Sequence, residues 1–581
     1  MKKHTYYHTG VHSRADFSCR AAREQTAQTL LESAANERRQ YESYWSRMKR
    51  YYDGTHDITF DAGLREDSDT LPWKPAQSAE GFIHVESQIE ADVPGFEFSP
   101  RGAYPYDRAK ARETLVEIIC DSETLAAKNA VNERRLGIYG TALWKVGWDD
   151  NEKRVTVEAP RVTQFYPDPA ASELDACEYL FCVCSMHASR AARLFAAELA
   201  AAGEDAYALP DSGRGIMSGD GEPYDADCVT VTEFWFRQPL SGHARDTLTG
   251  ADIPFAAGDI AMCLLIGGKE VRYIPKYWQN TDAKCYPFVL YTKTPNIDAL
   301  WGKSELEPII PLIDAADREL LFAQLNAAFN SNDIILAEEN AFAADSVPTN
   351  APGAVWKLRP GMMGKVQRLG NLGAYASAQF GNYGMWQSMM EQATGNFEVS
   401  QGKEPTRVTT ASGIALLNER AQTRKILKRS VKAEGFKRLY RLIDRTALEF
   451  FEDGRVIRQS EDGVFAFRLA DYADTDGRSS YIPELDVKIH IGDGIIGSKA
   501  FTVSAMTSLM SAVITRDNYL FFKSYVDLIG LPMRKEIGEY LDKRFADTDE
   551  DLAVTFEKLI PRELLETGAA KDENEKEETI A

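Results

Sequence analysis

No stretch of the 581 residues reaches the roughly 18 consecutive apolar positions that a membrane-crossing helix requires. The opening MKKHTYYHTGVHSRAD has no apolar core of the kind a secretory signal carries, so the chain is expected to be made and kept in cytosol. Cysteine is sparse and unevenly spread, at Cys19, Cys120, Cys177, Cys182, Cys184, Cys228, Cys263 and Cys285, with none afterwards. Such placement does not build a disulfide framework, and these thiols read as reduced, mostly buried fillers. An excess of positive charge is also missing: 88 acidic residues against 67 basic ones give a formal charge of −21. That is the wrong sign for a surface that grips nucleic acid by counterion release. It remains compatible with DNA that slides past without sticking.

The motifs of common chemistries are equally scarce. There is no GxxxxGK[ST]; the look-alike between Gly361 and Lys365 is too short and lacks the hydroxyl that would hold magnesium. No GxSxG occurs, and none of the eight histidines stands in a recognisable spacing with a nucleophile and a carboxylate. The expectation is a protein that is not an enzyme, with no catalytic residues, no cofactor and no metal. Three features were weighed against it. A GxGxxG at Gly492, Gly494 and Gly497 follows the strand-like LDVKIHI, but no βαβ unit surrounds it, so it reads as a turn. Cys177, Cys182, Cys184 and His187 are metal-ligand types, yet CVC within YLFCVCSM places alternate residues on one face of a strand. His4, His8 and His12 step by four within an arm expected to fray.

What is present is a succession of long helical and alternating segments, too long for one compact domain. Residues 21–52 carry no Gly or Pro and space their apolar side chains as a helix does; 108–136 reads as a second helix. From Gly140 the period changes. TALWKVGW, a turn at Asp149 to Glu152, and RVTVEA form a predicted hairpin, and EYLFCVCSM, VTVTEFWFR, IAMCLLIGG and YPFVLYTK follow as strands, so 140–293 is mainly β. Ser304 and Glu307 are spaced as a capping box for a helix over 304–330. A compact insert, 331–373, contains the strand-like DIILAEE and AVWKL, and a helix over 374–394 brings the chain back. Gly402 and Pro405 make 396–411 a loop. A helix of about 40 residues, roughly 60 Å long, is predicted from Ser412 to Phe451. VFAFRL and LDVKIHI read as strands and 500–514, 517–529 and 532–545 as helices, before the acidic tail TGAAKDENEKEETIA, expected to be disordered. The fold class is α+β.

One segment runs against the overall charge. Residues 403–445 hold twelve Lys or Arg and four acids. Within it Arg424, Lys425, Lys428, Arg429 and Lys432 are candidate contacts to DNA phosphate. The alternative is a solvated helix face, or one paired with the acidic side of a neighbouring subunit.

The order of these elements resembles the portal proteins of tailed bacteriophages over about 41–545. The stretches that carry the resemblance are ESYWSRMKRYYDG, YGTALWKVGW with RVTVEAPRVTQFYPDP, LWGKSELEPIIPLIDAADRELLFAQLNAAF and GKEPTRVTTASGIALLNERAQTR. Their joint order, not any one of them, makes the likeness. It implies an N-terminal arm and wing over 1–303, β-rich from about 140, stem helices at 304–330 and 374–395, and a small α/β clip at 331–373. It further implies a tunnel loop at 396–411, a long helix with the rest of the wing over 412–498, a helical crown at 499–566, and the tail 567–581. In such a ring Gln401, Lys403, Glu404 and Arg407 of the tunnel loop would line the DNA channel. The resemblance implies a homo-oligomer, a dodecamer, at one capsid vertex of the virion, assembled in the host bacterial cytoplasm. Double-stranded DNA would pass through it during packaging and ejection. Its partners would be the terminase large subunit, the major capsid protein and head-completion or tail adaptor proteins, and no membrane is involved. Two rival readings are another ring-forming virion structural or adaptor protein and a nucleotide-binding enzyme.

Overall fold

The computed structural model describes residues 17–58, 77–101, 104–296 apart from 210–227, 299–331, 334–343, 356–369, 375–394 and 426–454. It also describes 456–490 apart from 461–462, 470–471, 473, 476–479 and 482, and, further on, 513–514, 520–523 and 554–555. The chain divides into two units, Met1–Ile489 and His490–Ala581.

The first unit mixes helix and sheet, as an α+β chain should. Its N-terminal helix α1 (Arg20–Asp53) ends at Gly54, whose left-handed backbone lets its N–H reach the Arg50 carbonyl. A short helix α2 (Glu80–Glu86) and strand β1 (Gly95–Ser99) follow. The predicted helix over 108–136 is in fact two, α3 (Tyr106–Ser122) and α4 (Leu125–Tyr139), parted at Thr124, which sits at φ 49°. The cause lies outside the helix: the buried Glu123 carboxylate accepts the Val157 N–H at 3.1 Å and the Lys128 ammonium at 2.8 Å.

The hairpin forms as predicted, β2 (Thr141–Asp149) against β3 (Arg154–Glu158), and β11 (Phe288–Thr292) adds to its other edge. A second, five-stranded antiparallel sheet has the order β10-β9-β6-β5-β4. Its strands are β4 (Phe165–Pro167), β5 (Tyr179–His187), β6 (Cys228–Arg237), β9 (Ile260–Ile266) and β10 (Lys269–Ile274); β7 (Gly242–Arg245) and β8 (Asp252–Phe255) form a separate hairpin. Helix α1 covers one face of this sheet. Ala27, Leu30 and Ala34 lie on Phe181, Phe234 and Phe236, while Arg23 stands 3.9 Å from the Tyr273 ring and Arg38 3.5 Å from that of Tyr166. Two short helices, α5 (Ala188–Leu194) and α6 (Ala196–Ala202), cover the other face through Ala191 and Leu199.

Helix α7 (Ile310–Ser331) leaves this body and α8 (Tyr375–Thr394) returns beside it. The predicted capping box is not made. Leu306 N–H bonds to Ser304 Oγ at 3.1 Å, a single 3-10 turn covers Glu307–Ile309, and the α-helix begins only at Ile310. Tyr44 of α1 takes the place of the box, accepting the Ser304 N–H at 2.8 Å and donating to Glu307 at 3.1 Å. In the insert, β12 (Ile334–Ala337) pairs with β13 (Val366–Leu369); of AVWKL only 356–358 are described, and Leu358 makes an isolated bridge to Phe342.

The long helix is described as α9 (Ile426–Phe450); its predicted start at Ser412 lies outside the described residues. Phe436, Leu439, Tyr440, Ile443 and Ala447 bury one stripe of it in the largest core, with Trp144, Val146, Phe288 and Tyr291. Gly435 lets the two approach: a Cβ there would lie 2.4 Å from Tyr291 Cδ1. Hairpin β14 (Val456–Ser460) with β15 (Gly463–Ala466) follows, then the short ladder of β16 (Asp474–Thr475) and β17 (Ser480–Tyr481). Strand β18 (Asp486–His490), the predicted LDVKIHI, pairs with β1. In the second unit β19 (Val513–Ile514) pairs with β20 (Val554–Thr555), so the helix expected over 500–514 does not include its last two residues; 520–523 are helical.

Candidate functional site at the root of the helical hairpin

Buried and half-buried polar side chains gather where α7 and α8 leave and rejoin the body. Asp317, fully buried on α7, accepts His56 Nε2 at 2.6 Å and the Ser78 N–H at 2.7 Å. The His56 ring stacks on Tyr51 at 4.2 Å, and Tyr51 OH donates to Asp314, one turn earlier on α7, at 2.7 Å. On the returning helix, Tyr383 OH and Gln387 Nε2 both donate to Glu80 Oε1, at 2.7 and 2.6 Å. Burial first, and then this bond to Glu80, push the Tyr383 hydroxyl far above its usual pKa. Around these bonds Met48, Val85, Ile138, Ile309, Ile313 and Met390 form a dry core. A carboxylate left without partners in such surroundings would be costly, and each of these is hydrogen-bonded.

The basic helix reaches the same region. Lys428 and Lys432 are 3% and 2% exposed, and both lie 3.4 Å from the carboxylate of Glu133, itself 1% exposed. Lys428 Nζ also donates to the Gln88 carbonyl at 2.6 Å and stands 3.7 Å from Glu305; Lys432 donates to the carbonyls of Glu90 and Asp92. Burial pushes the Lys432 ammonium below its ordinary value, with Glu133 opposing the shift. Arg429 pairs with Glu90 at 3.2 Å. The candidacy of Lys428 and Lys432 for DNA phosphate is therefore corrected: they are turned into the fold and held by acids and carbonyls of their own chain. In the later half of α9 the cations are more open to solvent: Arg438 is exposed and Lys437, Arg441 and Arg445 are half-buried. Arg424 and Lys425, and the tunnel-loop residues Gln401, Lys403, Glu404 and Arg407, lie outside the described residues.

Other sequence features find their places. Cys182 and Cys184 alternate on β5, and burial pushes their thiols up, that of Cys184 to about 11 and that of buried Cys177 to about 12. Among the described residues no three His, Cys, Asp or Glu converge as metal ligands would. Gly361 turns at the end of the insert and Lys365 pairs with Glu338 at 2.6 Å. Gly492, Gly494 and Gly497, like His4, His8 and His12, lie outside the described residues. No described helix is long and apolar enough to cross a membrane.

Sequence reasoning missed the root itself: His56, Glu80, Asp314 and Asp317. The signal was two acids, 314 and 317, inside the otherwise apolar run IIPLIDAAD, on one face of a helix at i and i+3. The arrangement fastens two helices to a body. Neither the protein-family models nor the curated proteins compared with the chain give a match.

Proposed function

We propose that the chain is the subunit of a phage portal, a ring through which DNA is packaged by a terminase and later ejected. The observation that carries the reading is the paired excursion α7–insert–α8, rooted in a mixed α+β body on which a long helix lies. An antiparallel helix pair closed by a small β element is what a stem and clip require, and a shell-forming or adaptor subunit needs no such part. Helix α8 supports it further. Its twenty residues, YASAQFGNYGMWQSMMEQAT, hold one charge, Glu391, and Gly381, Gly384, Met385, Ser388 and Met389 are exposed in the single chain. A face so poor in charge suits burial against the next copy of the same helix pair.

On this reading α7 and α8 are the stem, the insert is the clip that meets the terminase and later the head-completion or tail adaptor proteins, and the body is the wing that faces the capsid. The chain is then a passive ring and valve, with ATP chemistry supplied by the terminase. The formal charge of −21 per copy favours a channel along which DNA moves without deep electrostatic wells. Negative-stain images of the purified full-length chain test it directly. Holed rings of about twelve subunits are expected, whereas monomers or closed shells would refute the assignment.

A further inference from the structure

A cavity of about 330 Å³ opens between α9, the loop 281–285 and the segment 483–487. That is within the size range of small-molecule pockets. Its wall is apolar at Phe98, Leu448 and Val487. Four cations line it, Arg112, Lys284, Arg441 and Arg445, against three acids, Asp282, Asp444 and Glu484.

The acids already have partners. Asp444 holds Arg112 through both of its oxygens, Glu484 takes Arg445 Nη2 at 2.5 Å, and Asp282 takes Lys276. Arg112 is completed by the Pro483 carbonyl at 2.8 Å, and Arg445 lies 2.9 Å from Cys285 Sγ. The other two cations differ. Arg441 Nε is buried with no hydrogen-bond acceptor, and its Nη2 is 3.8 Å from Asp486, a carboxylate that Arg101 already approaches to 3.0 Å. Lys284 is exposed at the rim and its ammonium meets no acid among the described residues, while its carbonyl is fixed by Arg237 Nη1 at 2.9 Å. The Arg441 side chain is 32% exposed, and the 3.8 Å to Asp486 is too long for a hydrogen bond, so its terminal nitrogens retain donors for an anion in the cavity.

We propose that this cavity binds an organic carboxylate, its oxygens on Arg441 and Lys284 and its apolar body against Phe98, Leu448 and Val487. The two terminal nitrogens of a guanidinium offer parallel donors at the spacing of a carboxylate. Three acids in the lining leave a small positive excess, which suits one negative charge and works against a multiply charged phosphate. The carboxylate belongs either to a free small acid or to an Asp or Glu side chain of a second copy of this chain. The inference is independent of the portal reading.

The test is calorimetric titration of the full-length chain with benzoate, with inorganic phosphate as the comparison. Saturable binding of one benzoate per chain is expected, with phosphate weaker by about tenfold. Arg441→Gln should weaken benzoate by about tenfold and the exposed Lys284→Gln by about threefold, each with an unchanged thermal unfolding curve. Lys284→Gln keeps the test informative should Arg441→Gln fold poorly. Absence of saturable heat, tighter binding of phosphate, or equal benzoate affinity in the folded variants would overturn the site. Assembled and dissociated protein that bind benzoate alike identify a free acid as occupant. Binding confined to the dissociated chain, with assembly weakened in Arg441→Gln, identifies the second copy.

Discussion

His84 shows how much one buried ring can report about the root of the hairpin. It is 3% exposed, with Glu80 Oε2 at 3.9 Å and Thr394 Oγ1 at 3.4 Å. Burial, the largest influence, lowers its pKa below 6.5, while the charges of Glu80 and Glu391 pull the other way. The unfolded chain therefore binds a proton near 6.5 that the folded chain still refuses. In that window stability rises with pH, and acidification below it removes stability. Thermal unfolding followed from about pH 7 to about pH 5 should show a falling Tm, and His84→Gln should flatten the fall. Equal slopes would place the acid sensitivity elsewhere. Lys428 and Lys432 teach a different lesson at the same scale. Read as charges, they suggested solvent or DNA. Read by position, they continue the buried stripe of Phe436, Leu439, Ile443 and Ala447 at steps of three and four, so the helical period already pointed them inward. What the sequence did not display was Glu133, nearly three hundred residues away, which makes that burial tolerable.

Most of the elements were legible because their periods are long and unbroken: the first helix, the hairpin at 141–158, four further strands and the helix pair all stand where the pattern of apolar residues puts them. Two of the errors share one cause, a local signal overruled by a distant residue. Glu123 is drawn to Val157 and splits a helix that has no Pro or Gly at the break; Tyr44 displaces the capping box of Ser304 and Glu307. Strand β10, KEVRYI, was missed because its charged residues break the alternation. The fit between helix and sheet gives a direct test. Gly435 on α9 faces the buried Tyr291 ring of β11, whose Cγ and Cδ1 would lie 2.8 and 2.4 Å from any added Cβ. The ring base cannot swing away as a flexible chain end would. Gly435→Val is expected to cost about 2 kcal/mol or more, seen as a lower urea midpoint at unchanged slope. A variant as stable as the parent would contradict the close approach of α9 to β11.

For the molecule as a whole, the contacts that fasten the excursion to the body among the described residues named above gather at its root, so its far part should be separable from assembly. On the portal reading, deleting 331–373 and joining α7 to α8 by a short linker is expected to leave a folded ring that no longer engages the terminase. Packaging by the shortened protein, measured as encapsidated DNA, would disprove the clip assignment. The root contacts lie within residues 310–317 of α7 and 383–394 of α8. Beyond Asp317 helix α7 runs on for about 20 Å, at 1.5 Å per residue. It is a cantilever. A sideways force at the tip becomes a torque at the fulcrum, multiplied by the length of the arm, and the first bonds to feel it are Asp317 to His56 and Glu80 to Tyr383. The bonds and apolar contacts of the root, and not the tip, set the load at which the arm would begin to tilt.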